Sequence, residues 1–267
     1  TKVITPEKFQ EELKIRGGNP TEGNRADSGA GTYGGKSNPK FQLWELCSGT
    51  STLSATARDA GKKHLPPIDF RYGWNVGRLA NQMLILHTLL FIGVATLFTA
   101  PNCAPWGNHT RNIPPADLQA KRNLEEPCLS FLAVCCFVQV LLGNQYILEN
   151  SAFSDIFTKS PLRHLRSIQF FLATLDQCAC GGMMENEFIK KRSHFQAGHV
   201  LSHLSVLCPG GHKHLNLRGN QRAASAAQYT KQECERILLD SAFPTRKGEG
   251  GGGPPPSLPN RNNDHER

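Results

Sequence analysis

Short apolar runs alternate with helical stretches along residues 41–175, and this alternation most limits the folds open to the chain. The runs 41–46, 94–99, 146–149 and 171–175 have the length and composition of buried strands, and helical patterns lie between them. A strand that is followed by a helix and then by another strand implies parallel pairing. We therefore expect an α/β domain built on a doubly wound, mostly parallel sheet.

Glycine marks the ends of this domain. Of the 25 glycines, 7 lie in residues 1–39 and 5 in residues 245–267. This composition favours a flexible N-terminal segment over 1–39 and a disordered tail over 245–267. Between them we expect a core over residues 40–177 and a basic annex, containing Cys and His, over residues 178–244. The predicted helices cover residues 4–15, 52–60, 77–91, 117–142 and 161–171.

The positive charge of the chain is concentrated in its second half. The formal net charge is +8; residues 41–156 carry 8 basic and 8 acidic side chains, and residues 157–236 carry 11 basic and 5 acidic ones. A neutral core beside a basic surface favours a polyanionic partner, although an ordinary solvated surface explains the charge equally well. The nine cysteines are too few and too unevenly spaced for a disulfide scaffold.

A membrane span is not expected. The most apolar stretch, Met83 to Phe98, is shorter than the roughly 20 residues that a spanning helix needs, and His87 and Gly93 interrupt it. We interpret it as a buried helix that leads into a buried strand. No secretory signal is visible at the start of the sequence, so we expect an intracellular protein.

Polar side chains follow several of the predicted strands, where parallel sheets bind their ligands. A turn of small residues around Gly49 follows the first strand, and such a turn lets backbone N–H groups approach a ligand, although a plain tight connection has the same composition. Asp69 ends the next extended segment, and a carboxylate at that place can bind a ribose diol. Glu149 and Asn150 end a later strand.

Cys103 differs from the other cysteines because it follows an apolar strand and lies between Pro101 and Pro105. Prolines stiffen a loop, and a thiol held at the mouth of a pocket suits a nucleophile. Cys128, Cys135 and Cys136 lie on a predicted helix and are interpreted as small buried hydrophobic residues.

In their order, these motifs resemble those of the cytosine-5 DNA methyltransferases. The motifs are Trp44-Glu45-Leu46-Cys47-Ser48-Gly49, Pro101-Asn102-Cys103-Ala104-Pro105-Trp106 and Leu148-Glu149-Asn150. The chain is most similar to methyltransferase-like segments of retroelement polyproteins, which share Arg71-Tyr72-Gly73-Trp74 and Asp176-Gln177-Cys178.

The resemblance implies a class I methyltransferase fold, which is related to the Rossmann fold, with S-adenosylmethionine as cofactor and DNA as partner. A nuclear location would follow. Cys103 would attack carbon 6 of a cytosine that has been flipped out of its stack, and Glu149 would hold the ring nitrogen. Lys191 and Arg192 would lie near the pocket as the family's basic pair. The implied cofactor-binding residues are Glu45, Cys47, Ser48, Gly49, Asp69 and Pro101.

Cysteine and histidine cluster in the basic half of the chain. Cys178-Ala179-Cys180-Gly181 is followed by Cys208-Pro209-Gly210-Gly211-His212-Lys213-His214. These residue types at such spacings can close a tetrahedral zinc site. The best set is Cys178, Cys208, His212 and His214, with Cys180 as a substitute, and it would clip the annex together.

Two other functions remain open at this stage. The chain could be a catalytically degenerate, zinc-stabilised module that binds nucleic acid within a mobile-element polyprotein. It could also be a methyltransferase for another substrate, such as RNA, in which Cys103 is structural. The sequence does not indicate the oligomeric state.

Overall fold

The computed structural model describes residues 4–17, 39–168, 170–215, 217, 222 and 225–241. Its strands are β1 (Phe41–Leu46), β2 (Val94–Thr99), β3 (Gln145–Ser151), β4 (Phe171–Asp176), β5 (Met183–Met184), β6 (Glu187–Ile189), β7 (Arg192–Ala197) and β8 (His214–Leu215). Its α-helices are α1 (Pro6–Gly17), α2 (Thr52–Asp59), α3 (Leu79–His87), α4 (Pro115–Leu141), α5 (Ile156–Lys159) and α6 (Lys231–Ser241).

A five-stranded sheet with the order β1, β2, β3, β7, β4 forms the centre of the fold. β1, β2 and β3 are parallel, whereas β7 runs antiparallel to both of its neighbours, β3 and β4. Four of the five strands therefore point in one direction. Parallel bridges from Leu43 to His64 and from Leu46 to Ile68 bring a further extended segment to the outer edge of β1. The expected mostly parallel sheet is confirmed.

Helices cover both faces of this sheet, because alternate strand residues belong to two hydrophobic clusters. Trp44, Leu97 and Leu148 pack on one face with residues of α1, α3 and α4. Leu43 and Ile147 pack on the other face with residues of α2 and α6. Strand residues that are buried on both faces explain the continuous apolar runs of the sequence.

Most of the predicted elements agree with the structure. The strands at 41–46 and 94–99 have the expected bounds, and α4 lies within two residues of the predicted 117–142. The predicted helix over 161–171 is wrong. A 3-10 helix, Pro161–Ser167, ends before β4 begins at Phe171, and α5 precedes it. Pro161 lacks a backbone N–H and starts a new element after α5.

The N-terminal helix α1 is part of the core. The ring of Phe9 stacks on Trp44 at a centroid distance of 5.7 Å and meets the edge of Trp74 at 5.4 Å. The indole nitrogen of Trp74 donates a hydrogen bond of 2.9 Å to the carbonyl of Ile4. The segment that was expected to be flexible thus begins with a packed helix. The rest of it, residues 18–38, lies outside the described residues.

The expected division between residues 177 and 178 does not separate two structural units. β7 comes from the predicted annex, yet it lies between β3 and β4 of the central sheet. α6 packs against α2 on one face of that sheet. Among the described strands, β5, β6 and β8 form a separate three-stranded sheet outside the central one. β7 has the polar sequence Arg-Ser-His-Phe-Gln-Ala, so its central position could not be read from hydrophobicity. The tail, 245–267, lies outside the described residues.

By length and composition, α4 is the one helix in the described part of the chain that could cross a membrane. Leu129, Leu132, Cys136 and Gln139 on this helix are buried within the fold. Core helices of globular proteins share this composition, and the expectation of no membrane partner stays a prediction.

Replacing Phe9 tests whether α1 belongs to the folding unit. Phe9→Ala removes a buried ring that contacts two tryptophans, and we expect the free energy of unfolding to fall by about 3–5 kcal/mol. Denaturant unfolding measures the change, and Gln10→Ala, at an exposed position of the same helix, serves as the control. If Phe9→Ala costs no more than this control, α1 does not stabilise the core.

Candidate functional site

A cavity of about 1050 Å³ opens at the carboxyl ends of β1, β2 and β3. Its wall is formed by the turn after β1, the segment 69–77, the loop after β2, the end of β3, and residues 190–192 and 225–229. Polar groups that are up to 180 residues apart in the sequence therefore face one space. The parallel register of β1, β2 and β3 places the ends of these strands side by side.

The turn after β1 is bent by three residues with left-handed backbone. The φ angles of Cys47, Gly49 and Ser51 are 55°, 54° and 58°. Residues other than glycine rarely adopt this left-handed backbone region. A Cβ atom placed on Gly49 would meet nothing within 4 Å, so the space above the turn is open. Cys47, Ser48 and Gly49, which the sequence analysis assigned to cofactor binding, all line the cavity.

Asp69 and Tyr72 hold this turn in place. One carboxylate oxygen of Asp69 accepts a 2.8 Å hydrogen bond from the N–H of Gly49, and the other accepts one of 3.0 Å from the N–H of Arg71. The hydroxyl of Tyr72 donates to the carbonyl of Gly49 at 2.9 Å and lies 3.1 Å from the hydroxyl of Ser51. These bonds offset the strain of a left-handed serine, which is on the order of 1 kcal/mol or more.

Glu45 is not brought into the cavity. Its side chain is fully buried, and one oxygen accepts hydrogen bonds from both the N–H and the hydroxyl of Ser54, in the first turn of α2. Glu45 therefore joins β1 to α2. Burial raises the pKa of this carboxyl from an ordinary 4.5 to about 7, against the hydrogen bonds from Ser54 that lower it. The structure places this residue beside α2 and not in the wall of the cavity.

The loop that carries Cys103 is held by bonds to its surroundings and by bonds within the loop itself. The amide of Asn150 donates to the carbonyl of Pro101 at 2.9 Å. Asn102 accepts a bond from the N–H of Ala104 and donates to Glu125 on α4, at 3.0 and 2.9 Å. The carbonyl of Cys103 accepts bonds from the two N–H groups of 106 and 107. As a whole residue Cys103 is exposed, and its thiol faces the cavity, where neighbouring groups partly shield it from water.

Three side chains hold the carboxylate of Glu149, which is nearly buried. The hydroxyl of Ser193 donates to Oε1 at 2.5 Å, and the ammonium of Lys191 lies 3.6 Å from the same oxygen. The hydroxyl of Tyr229 donates to Oε2 at 3.0 Å. Glu149 and Lys191 were predicted as site residues, whereas Ser193 and Tyr229 were not.

The charges around Cys103 act in opposite directions. Burial raises the pKa of the Cys103 thiol, the carboxylate of Glu149 raises it further, and the ammonium of Lys191 lowers it. For Lys191, burial lowers the pKa, but the charges of Glu149 and Glu233 outweigh it, and the net pKa is raised. Lys191 thus remains a cation at neutral pH and partly offsets the effect of Glu149. The net pKa of the Cys103 thiol is still raised above its ordinary value, so the site holds this residue mainly as the thiol before a substrate binds.

Arg192 points away from Glu149. Its guanidinium forms a fork on Asp176, with both nitrogen–oxygen distances at 2.7 Å. This follows from strand alternation, because Lys191 and Ser193 share one side of the backbone and Arg192 has the other. The hydrogen bond from Arg192 holds the pKa of Asp176 below its usual value. Lys191 and not Arg192 is therefore the cation beside the Glu149 carboxylate, although Arg192 also borders the cavity.

The four predicted metal ligands come together outside the cavity. One ligand atom from each of Cys178, Cys208, His212 and His214 lies within 4.8 Å of all the others. The distances from Cys208 Sγ to His212 Nε2 and from Cys178 Sγ to His214 Nε2 are both 3.4 Å. Around a tetrahedral zinc ion, bonds of roughly 2.0–2.3 Å give ligand spacings of about 3.3–3.8 Å. The two thiols and two imidazoles fit such an ion.

Cys180, the predicted substitute ligand, is buried in the hydrophobic cluster that contains α6 and is not part of this group. The residues 177–180 form a 3-10 helix, which turns Cys178 and Cys180 in different directions.

Of the unpredicted residues, only Ser193 had a signal in the sequence. It lies two positions after Lys191, and strand alternation puts both residues on one side. Tyr72 lies within the shared motif 71–74, but the resemblance assigned it no role. Tyr229 reaches Glu149 across 80 residues of sequence, and no local pattern marks it.

No protein-family model and no curated protein matches the chain. Among solved structures, the crystal structure of a triple mutant of DNMT2 from Spodoptera frugiperda is similar over 58% of this chain and 49% of that chain. The sequence identity is 14% and the TM-score is 0.32. The chain thus spans about half the length of this neighbour. A likeness of this size identifies neither the family nor the activity.

The raised pKa of Glu45 predicts a pH dependence of stability. Because its pKa is higher in the folded chain than in the unfolded chain, the folded state binds more protons between pH 4.5 and 7, and stability falls as the pH rises through this window. Glu45→Gln keeps the shape without the titration. From pH 5 to pH 8, its unfolding free energy should fall by on the order of 2–3 kcal/mol less than that of the wild type.

Urea unfolding at the two pH values measures this difference, and Glu126→Gln on α4, at an exposed position, is the matched control. Equal pH dependence in wild type and Glu45→Gln would show that Glu45 does not titrate in this range.

Proposed function

We propose that this chain is an S-adenosylmethionine-dependent methyltransferase that acts on carbon 5 of cytosine in DNA, with Cys103 as the nucleophile. One observation carries the proposal: a single cavity collects the Gly49 turn with Asp69, the Cys103 loop and the Glu149 carboxylate. These are the three motifs of the sequence resemblance, in the same chain order. The mostly parallel sheet, with one reversed strand, is compatible with the class I methyltransferase fold.

The residues around Gly49 fit the cofactor. The space above the turn is open, and the carboxylate of Asp69 lies at its edge. Each oxygen of Asp69 accepts one backbone hydrogen bond and keeps a lone pair for a ribose hydroxyl. S-adenosylmethionine supplies an electrophilic methyl group when it is bound.

The residues on the other side of the cavity fit a base. The Cys103 thiolate would add to carbon 6 of a flipped cytosine and make carbon 5 nucleophilic. Glu149 would share a proton with the ring nitrogen through Oε2, which accepts one hydrogen bond, from Tyr229, whereas Oε1 faces both Ser193 and Lys191. Carbon 5 would then take the methyl group, lose its proton to water and release the Cys103 thiolate, which restores the double bond between carbons 5 and 6.

DNA is the proposed partner because cations border the cavity. Arg71, Lys190 and Arg192 lie at its wall, together with Lys191. Such groups contact phosphates and orient a nucleic acid without reading its sequence. RNA presents the same phosphates, so a comparison of the two duplexes distinguishes the substrates.

We further propose that Cys178, Cys208, His212 and His214 bind a structural zinc ion. The four side chains offer the closed, tetrahedral donor set that is typical of such sites and no position for a substrate. Their segments lie around β6 and β8, whose short sheet has little core of its own. The ion would therefore supply stability that packing does not.

Zinc content tests this site. Purified protein should contain one zinc ion per chain by elemental analysis, and Cys208→Ser should lose it. Cys180→Ser, at a buried cysteine outside the group, should keep it. A metal-free preparation that stays folded, or equal zinc content in both variants, would reject the site.

Cofactor binding and covalent trapping test the enzyme. Wild-type protein should bind S-adenosylmethionine in calorimetry and form a covalent complex with DNA containing 5-fluorocytosine. Cys103→Ala should lose the complex and keep cofactor affinity, because its side chain is on the base side. Asp69→Asn should weaken cofactor binding by roughly tenfold or more, since it loses one charge-assisted acceptor.

Asp59→Asn, an exposed carboxylate outside the cavity, is the control for charge. Protein that binds nucleic acid but no S-adenosylmethionine would contradict the enzyme and favour the alternative, a zinc-stabilised binding module without catalysis.

A further inference from the structure

Gln177 connects the Cys/His group to the cavity. It immediately precedes the metal ligand Cys178 and is 1% exposed. Its backbone N–H donates to the carbonyl of Lys191 at 2.8 Å. Its side-chain amide donates to the carbonyl of Gln228 at 2.7 Å and to Glu233 at 3.2 Å. One residue therefore binds two separate segments of the cavity wall.

Each of the two segments contributes a side chain that contacts the carboxylate of Glu149. In the first segment this side chain is Lys191, whose ammonium lies 3.6 Å from Oε1. The second continues from Gln228 to Tyr229, whose hydroxyl donates to Oε2 at 3.0 Å. The two oxygens of Glu149 are thus positioned by groups whose backbones are tied to Gln177.

The neighbouring contacts tie the same segments to the metal ligands. The N–H of Cys208 donates to Asp176 at 2.9 Å, and Asp176 also receives the fork of Arg192. His214 pairs with Phe188, so β8 lies beside the strand that leads to Lys191. Cys208 and His214 are therefore connected to residues on both sides of Lys191, to Phe188 before it and, through Asp176, to Arg192 after it.

The Tyr229 segment has a second tie to the 3-10 helix that carries Cys178. The hydroxyl of Thr230 donates to the carbonyl of Cys180 at 3.0 Å, and Thr230 and Glu233 form a capping box at the start of α6. A Cβ atom on Gly182 would lie 2.6 Å from Cγ of Gln177, so only glycine leaves room for this side chain.

The cofactor side of the cavity has no comparable link. Within the described part of the chain, the backbone and hydroxyl groups of the Gly49 turn bond to Ile68, Asp69 and Tyr72, and the Cys47 thiol faces Thr99 and Cys128. None of these contacts reaches the Cys/His group. The two sides of the cavity therefore differ in what supports them.

We propose that Gln177 is a positioning residue through which the metal site orders the Glu149 side of the cavity, while the Gly49 side is independent of the metal. This proposal rests on the zinc site proposed above, and its effect on catalysis also rests on the proposed methyltransferase reaction. The coupling between the metal site and the Glu149 side can be tested without measuring catalysis.

Hydrogen exchange followed by mass spectrometry tests the coupling in the full chain. Removal of zinc with EDTA should speed exchange in 187–193 and 225–230 by roughly tenfold or more, and leave 43–50 and 69–73 unchanged. Equal protection with and without zinc would overturn the proposal. Faster exchange in all four segments would also overturn it, because the Gly49 side would then depend on the metal.

Gln177→Met isolates the amide while the metal is kept. It preserves volume and the backbone bond to Lys191, but removes the bonds to Gln228 and Glu233. We expect full zinc content, roughly fivefold to tenfold faster exchange in 225–230 and little change in 187–193.

Gln139→Met is the matched control. Gln139 is also buried, and its amide donates to the two carbonyls of Val94 and Gln145, at the other end of the sheet. If hydrogen exchange in 225–230 is equally fast in Gln177→Met and Gln139→Met, Gln177 does not position this segment.

Cofactor binding and covalent trapping of the same two variants test the effect on catalysis. Gln177→Met should bind S-adenosylmethionine as the wild type does and form the covalent complex with 5-fluorocytosine DNA about tenfold more slowly, whereas Gln139→Met should match the wild type in both. Equal trapping by both variants would refute the functional part of the proposal. A wild type that neither binds cofactor nor is trapped would refute the enzyme, while the exchange measurements still decide the coupling.

Discussion

The burial of the Glu149 carboxylate is the constraint on which the rest of the site depends. Burying a charge that has no partners raises the free energy of the folded state, and here three donors offset that increase. Ser193 and Lys191 reach one oxygen, and Tyr229 reaches the other. These donors come from β7, from the residue before it, and from the segment before α6. The need to satisfy this buried carboxylate thus ties residues 191–193 and Tyr229 to the end of β3.

This requirement explains why the second half of the molecule is not an appendage. β7 fills the place between β3 and β4, and α6 covers the face opposite α4. The Cys/His group lies beside the connections on both sides of Lys191, next to the short sheet β5-β6-β8. The cavity therefore combines a Gly49 side, supported by the main core, with a Glu149 side that is supported by polar bonds.

The sequence predicted the local elements and the grouping of four Cys and His side chains. Runs such as 41–46 and 94–99 are strands because both of their faces are buried, which leaves a continuous apolar signal. The four side chains could be chosen because Cys and His at short spacing are typical of zinc sites, and the structure brings them within 4.8 Å of one another. Glu45 was misplaced because a carboxylate at the end of a strand can face either side of the sheet, and spacing alone does not distinguish them.

By itself, the sequence determined the alternating α/β architecture, the position of the Gly49 turn and the Cys103 loop, and the composition of the Cys/His group. Each of these is encoded within a few consecutive residues. Only the tertiary structure decided that α1 belongs to the core, that β7 enters the central sheet, that Arg192 pairs with Asp176, and that Tyr229 reaches Glu149. These depend on which distant segments pack together, and a polar strand or a single tyrosine has no local pattern that could reveal its partner.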